Sequence, residues 1–333
     1  MDINSINRIV WWIPFKQLRN DVRQYLMSSS NIYGISDSWV VKPILDDIEK
    51  NRNELLSKYR KLINGLDSES VDTVNNIVSN LSKNTCYNIN FTDYEIDTKL
   101  SLQKKHNNKI IKIDDEYYIY DNKYILDRNF FEFPNFYDKI GLDYIQNKEF
   151  LKDKAIIDAG GFIGDTALIL SDYTNDKVYS FEPFLSNFNS MKKNIKLNNK
   201  TNIEPVYMAL GDENKEIYIT DTEISSGNQL DVKSNSGNKV QMTTLDSFVE
   251  KNNIKVGLIK TDLEGFEQPF LRGAINTIKK QKPILIISIY HNYSDFFDIK
   301  PMIEELNLGY KFKILKSNDF HLILETKLIA EVY

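Results

Sequence analysis

The chain has 333 residues, 41% of them hydrophobic, 27% charged and 12% aromatic, a composition that can build a substantial core and excludes a largely disordered chain. Its net charge of −5, with acids and bases interspersed, offers no basic stripe of the kind that tracks phosphate backbones, so no nucleic-acid partner is expected. No apolar run reaches membrane-spanning length, the N-terminus does not read as a signal peptide, and the single cysteine, Cys86, has no internal partner; a cytoplasmic protein without a transmembrane segment is expected.

Aromatic and then basic residues open the chain, Ile9-Val10-Trp11-Trp12-Ile13-Pro14-Phe15 preceding Arg19, Arg23 and Leu26. This segment is expected to pack its tryptophans on the main domain or on a second subunit, with a membrane surface as the alternative. Leu45, Ile48, Leu55, Tyr59 and Leu62 recur at helical spacings across 43–64, and Val71, Val74, Ile77, Val78 and Leu81 repeat the pattern behind an N-cap at Asp67 or Ser68. From about 109 the period changes to two, which predicts a hairpin turning at Asp114-Asp115, followed by an aromatic connecting stretch over 126–150.

Beyond 154, short apolar runs alternate with helical patterns. Strands are predicted at Lys154–Asp158, Lys177–Phe181, Ile203–Met208, Val256–Thr261 and Pro283–Ile289, and helices at 164–172, 184–198, 265–281 and 299–306. Such alternation implies an α/β, Rossmann-like fold with a parallel sheet covered on both faces. Three parts are therefore expected: a helical accessory region at 1–105, a hairpin and connector at 106–150, and a cofactor-binding domain at 151–333. The segment 221–240, rich in Ser, Asn and Gly, suggests a lid.

Four groups of residues carry chemistry. Asp158-Ala159-Gly160-Gly161-Phe162-Ile163-Gly164 follows the apolar run Ala155–Ile157, and glycines between a strand and a helix let the backbone approach a ligand closely. A dinucleotide fingerprint would begin with glycine where this chain has Ala159, so the pattern suits an adenosine-like cofactor without a pyrophosphate. Glu182, in Val178-Tyr-Ser-Phe-Glu-Pro183, lies 22 residues beyond Gly160, the separation expected of an acid that accepts from ribose hydroxyls. Asp262, Glu264 and Glu267 follow the strand at 256–261; alternation could send Asp262 and Glu264 to one side, to hold a hydroxyl, take its proton or ligate a hard cation, whereas Glu267 reads better as a helix-starting acid. His291 ends the last parallel strand and suits proton transfer near neutral pH, while His106 and His321 lie outside any motif and read as structural or solvated.

In this order the pieces resemble the FkbM family of methyltransferases. The resemblance spans roughly 137–331 and rests on Asp158–Asp165, Ser180–Pro183, Ala209–Asp212, Thr244–Asp246, Ile259–Gly265, Gly273-Ala274, Lys282-Pro283, Ser288–His291 and the closing Glu325–Ala330. Thr261 stands where many members carry an aliphatic residue. The resemblance implies a seven-stranded class I methyltransferase sheet with a reversed final hairpin, and S-adenosylmethionine as donor. It places Asp158, Gly160, Gly161, Phe162 and Gly164 around the methionine and ribose, Glu182 on the ribose, and Met208, Ala209 and Leu210 beside the adenine. Asp262 would sit near the donor, and His291, Asp262 and Glu264 would act on the acceptor.

Together these readings give an S-adenosylmethionine-dependent O-methyltransferase acting on a hydroxyl of a sugar, glycan or related small metabolite, with a general base at His291 or Asp262. A divalent metal is left open and none is assigned, and the N-terminal helices are expected to supply acceptor contacts or form a homodimer. The alternatives are a nicotinamide-dependent oxidoreductase, a nucleic-acid methyltransferase and a non-catalytic scaffold; Ala159 and Asp158 disfavour the first and the acidic balance the second.

Overall fold

The computed structural model describes residues 8–15, 18, 19, 22, 38–82, 92–219 and 237–332. Cys86, Arg23, Leu26 and most of the lid segment lie outside the described residues.

Three apolar runs form the centre of the main sheet. β4 (Ala155–Ala159), β10 (Val256–Thr261) and β11 (Ile284–Ser288) are buried at every position, as parallel strands covered on both faces must be. With β5 (Val178–Phe181), β6 (Ile203–Val206), β12 (Lys311–Lys316) and β13 (Thr326–Glu331) they make a seven-stranded sheet in the order β12-β13-β11-β10-β4-β5-β6. β4, β5, β6, β10 and β11 pair in parallel, and β13 runs antiparallel to both β11 and β12. This is the reversed final hairpin of the class I sheet.

Because side chains alternate along a strand, each central strand feeds two cores. Ile157, Ala159, Ile259 and Ile287 join one core with Val40, Ile44, Leu62, Val74 and Ile77 from the N-terminal helices. Ile156, Leu258 and Ile286 join the other, with Tyr120, Leu126, Phe131 and Phe136 from the hairpin and connector.

The N-terminal helices are α1 (Ser38–Lys50), α2 (Arg52–Ile63), α3 (Ser68–Ser82) and α4 (Asp93–Asn107). The single predicted pattern over 43–64 is thus two helices. Asp67 is the N-cap of α3, its carboxylate accepting from Ser70 N at 2.8 Å. Polar ties fix these helices to the main domain: Ile314 N of β12 donates to Ser70 Oγ at 2.9 Å, and buried Lys300, in the helix Tyr293–Glu304, donates to the Asn64 carbonyl.

The predicted hairpin is β1 (Ile110–Lys112) paired with β2 (Tyr118–Tyr120), its turn closed by Asp114, which accepts from Glu116 N and Tyr117 N. A third strand with no signal in the sequence, β3 (Tyr124–Leu126), follows a three-residue connection in which Asp121 and Asn122 both stand at φ +53° and Lys123 N donates to the Tyr120 carbonyl at 3.0 Å. His106 is buried and structural, within 2.8 Å of the Phe131 carbonyl and 3.2 Å of the Tyr120 hydroxyl.

Further helices are α5 (Phe133–Phe136), α7 (Leu185–Leu197) and α8 (Leu245–Asn252), and the remaining elements differ from expectation in four places. β7 (Ala209–Leu210), β8 (Lys215–Ile219) and β9 (Asn238–Thr243) form a second small sheet that the sequence reading missed. The helix expected over 265–281 is broken at Ala274 into α9 (Glu267–Gly273) and α10 (Ile275–Gln281); beside the break, Gly273 passes so close to Gly211 that a Cβ there would lie 2.0 Å from the Gly211 carbonyl oxygen. The helix expected at 299–306 runs as α11 (Tyr293–Glu304), starting earlier because the Asn292 side chain caps it through Asp295 N. β6 stops at Val206, so Met208 is outside it. Among the described residues no helix is long and apolar enough to cross a membrane.

Candidate active site

The glycine loop leaves β4 at Ala159 and enters α6 (Asp165–Leu170). Gly160 N and Gly161 N both donate to the Phe181 carbonyl, at 3.2 and 2.8 Å, which lashes the loop to the end of β5. Phe162, at φ +46°, donates its N–H to Glu182 Oε2 at 2.9 Å. The loop and the acid read as a ribose clamp are therefore one hydrogen-bonded unit. Glu182 Oε1 accepts from Phe184 N at 3.0 Å and from Asn187 at 3.2 Å, whereas Oε2 accepts from Phe162 and has further acceptor capacity for a ligand. Burial pushes the Glu182 carboxyl up to about 8, against these donors and Lys260.

Asp158 lies beneath the loop and not on the cavity wall. It is fully buried, accepts from the Thr166 hydroxyl at 3.0 and 3.1 Å and from the Ser180 hydroxyl at 2.8 Å, and pairs with Lys260 at 3.1 Å. Lys260 also donates to the Gly160 carbonyl at 2.8 Å. Burial opposes the Lys260 ammonium, but Asp158, Asp262 and Asp165 outweigh it and hold its pKa above the usual value. Gly161 and Gly164 are likewise packing positions: added Cβ atoms would lie 2.0 Å from Ser180 Oγ and 2.9 Å from Met191 Cγ.

At the end of β10 the chain turns through Asp262, Leu263, Glu264 at φ +53° and Gly265 at φ +95° into α9. Glu267, fully buried as the first residue of α9, reaches back to accept from Leu263 N at 2.7 Å and Gly265 N at 3.0 Å. This turn, more than strand alternation, sends Asp262 and Glu264 to the same side. His291 stands behind them with its side chain 1% exposed. Its Nε2 is 3.3 Å from Asp262 Oδ1 and 3.6 Å from Glu264 Oε2, and its Nδ1 is 3.1 Å from Glu267 Oε1. These are charge contacts; neither ring nitrogen is aligned for a hydrogen bond. Burial works against the imidazolium, but Glu267 and Asp262 hold its pKa well above the usual histidine value. In the same cluster burial raises Glu264 to about 8, whereas Asp262 is held below the ordinary range because His291 and Lys260 overcome its burial.

One cavity joins the two carboxylate sites. Among the sequence candidates, Gly160, Phe162, Glu182, Asp262 and Glu264 line it. His291, Asp158, Gly161 and Gly164 support it from behind, and Met208 and Ala209 belong to the packing around the second small sheet and the core, with Leu210 beside them. Further lining residues were given no role by the sequence reading: Lys260, Tyr290, Glu325, Asp165, Glu132, Asn135 and, at the mouth, Trp39. Tyr290 donates to Asp262 Oδ1 at 3.1 Å and to Glu325 at 3.3 Å. Lys260, Asp165, Tyr290 and Glu325 stood inside quoted motifs and carried that signal; Glu132 and Asn135 come from the connector, where no pattern marked them. The wall is rich in carboxyl groups, with Glu182 and Glu264 raised to about 8 by burial and Lys260 already committed to Asp158, and it suits a cationic ligand, which would favour their ionised form.

Comparison with known proteins bears on this site. Residues 158–312 match the family model described as the methyltransferase FkbM domain. The chain is 26% identical over 179 residues to "Methyltransferase 1" of Beauveria bassiana, covering 46% of this chain and 72% of that protein. It is 26% identical over 171 residues to the "Hexuronic acid methyltransferase AglP" of Haloferax volcanii, covering 51% and 70%. Its fold is similar to that of methyltransferase FkbM from Methylobacillus flagellatus, with a TM-score of 0.56 and 17% identity, covering 86% of this chain but only 60% of that one.

Proposed function

Residues 158–312 match the methyltransferase FkbM domain, and from that premise we propose that the chain is a methyltransferase that methylates a hydroxyl of a sugar or glycan with S-adenosylmethionine as donor. The observation that carries the reading is the single acidic cavity running from Glu182, at the end of β5, to Asp262 and Glu264, at the end of β10. Bound there, S-adenosylmethionine supplies an electrophilic methyl on a sulfonium, and its positive charge fits the wall. Gly160 and Phe162 lie where the backbone can approach the donor, and Glu182 Oε2 has the acceptor capacity for a ribose hydroxyl. Methyl transfer is an in-line displacement, so most of the chain's contribution is alignment and exclusion of water. A sugar hydroxyl must lose its proton as the bond forms, and Asp262 is the acceptor we assign, with Glu264 orienting the hydroxyl. His291 is a positioning residue, since it reaches the cavity only through these carboxylates. The name of the haloarchaeal relative supports a sugar acceptor.

The test is transfer of labelled methyl from S-adenosylmethionine to a panel of hexosides, hexuronides and amino-sugar glycosides. A methyl ether on a glycoside hydroxyl is expected; label entering RNA or DNA and no glycoside would contradict the reading.

Glu182 makes donor binding pH-dependent. With its carboxyl titrating near 8 in the free protein, a bound ribose needs the carboxylate, so below that pH binding must also remove a proton. Calorimetry should show S-adenosylhomocysteine affinity rising with pH between 6 and 8 by up to about tenfold per unit and then levelling, a slope that Glu182→Gln abolishes. In the unliganded protein the sign for stability is opposite. The folded state holds this proton more tightly than the unfolded one, so Glu182 costs stability as pH rises from about 4.5 toward 8.

A further inference from the structure

We propose that Asp262, Glu264 and His291 form a binding site for one divalent cation, of the Mn2+ class, with Glu267 as the group that orients the imidazole. Each of the three offers one ligand atom, and these atoms lie within 4.8 Å of one another. Ligands at right angles on an ion with bonds of about 2.0–2.2 Å are separated by roughly 3 Å. The His291 Nε2 to Asp262 Oδ1 and Glu264 Oε2 separations, 3.3 and 3.6 Å, need only small adjustments to reach that.

Two independent features distinguish this cluster from a chance gathering of acids. His291 Nε2 is buried and faces both carboxylates, and neither it nor the buried Glu264 Oε2 has a hydrogen-bond partner among the described residues. Buried polar atoms without partners are uncommon and call for an explanation, of which an ion is one. Behind the ring, the fully buried Glu267 carboxylate stands 3.1 Å from Nδ1, and Glu267 is itself fixed by Leu263 N and Gly265 N. A carboxylate this close to the far nitrogen can keep the ring proton there when a cation displaces the one on Nε2, the outer-shell arrangement that supports a metal-bound histidine. Two carboxylates and one imidazole suit Mn2+, Mg2+, Fe2+ or Zn2+ better than a soft cation.

The cation's task rests on the reading of the cavity as a methyl-transfer site, although its binding does not. An acceptor hydroxyl that ligates the ion becomes a stronger acid. Its proton would pass to the second oxygen of Asp262, consistent with the role assigned to that residue.

Mn2+ added alone to the full chain and followed by electron paramagnetic resonance tests the site. One ion per chain is expected to lose its free aqueous signal, and Glu264→Gln should weaken that binding at least about tenfold while thermal unfolding reports an intact fold. If Glu264→Gln does not fold, Asp262→Asn reads the same site. An unaltered free-ion signal with the wild-type chain, or binding that survives these substitutions, overturns the inference. S-adenosylhomocysteine binding measured on the same samples keeps the two proposals apart. Donor binding without Mn2+ binding removes only the metal, and Mn2+ binding without donor binding removes only the methyl-transfer reading.

Discussion

Gly160→Ala is expected to destabilise the fold by roughly 2–5 kcal/mol and to abolish donor binding, the sum of a left-handed alanine and an overpacked contact. Gly160 sits at φ +81°, where a side chain strains the backbone. The contact is the more severe problem. An added Cβ would lie 1.9 Å from the Asp262 carbonyl oxygen and 2.9 Å from its carbonyl carbon, both backbone atoms that no rotamer change can move aside. Relief requires the donor loop and the turn carrying Asp262 to separate, and Asp262 N donates to the Ala159 carbonyl at 2.9 Å across the same junction. One methyl group therefore damages both ends of the cavity. Urea unfolding and calorimetry with S-adenosylhomocysteine measure the two effects; a loss under 1 kcal/mol with donor affinity intact would contradict this packing account.

Lys260→Met should cost about 3–5 kcal/mol, the usual consequence of leaving one member of a buried ion pair uncompensated. Asp158 is fully buried, and without Lys260 it keeps only the Thr166 and Ser180 hydroxyls. The Gly160 carbonyl would lose its donor at the same time. The double variant Lys260→Met with Asp158→Asn should recover much of the loss, because the orphaned charge is then gone. Urea denaturation of the single and double variants checks this, and additive losses would show that the pair is not coupled. Lys260 is thus a structural cation beneath the donor loop, although it sits in the motif between the two acidic sites.

These two residues show what could and could not be read from the sequence. The central strands were legible because fully buried parallel strands appear as continuous apolar runs, and Val256–Thr261 was located to the residue. β3 was not, because three residues carry too little periodicity, and β8 and β9 were hidden by their half-exposed edges and the segment between them. The glycine at 273 answers to a contact with Gly211, 62 residues away, which no local pattern records. The candidate site shows the same division. Gly160, Phe162, Glu182, Asp262 and Glu264 come from motifs whose spacing follows the strand ends, and they line one cavity. Which way each side chain faces was not legible: Asp158 turns under the loop, His291 stands behind the carboxylates, and Glu132 and Asn135 arrive from the connector by tertiary packing alone.

The cavity between Glu182 and Asp262 is proposed to hold an adenosyl sulfonium donor. Titration calorimetry with S-adenosylhomocysteine and, separately, NAD on the wild-type chain and on Glu182→Ala tests it most directly. One S-adenosylhomocysteine per chain is expected, with no binding of NAD and at least about a tenfold loss in Glu182→Ala, or about 1.4 kcal/mol, the minimum when a charged hydrogen-bond acceptor is removed. Binding of NAD in preference to S-adenosylhomocysteine, or S-adenosylhomocysteine binding that Glu182→Ala leaves unchanged, would contradict it.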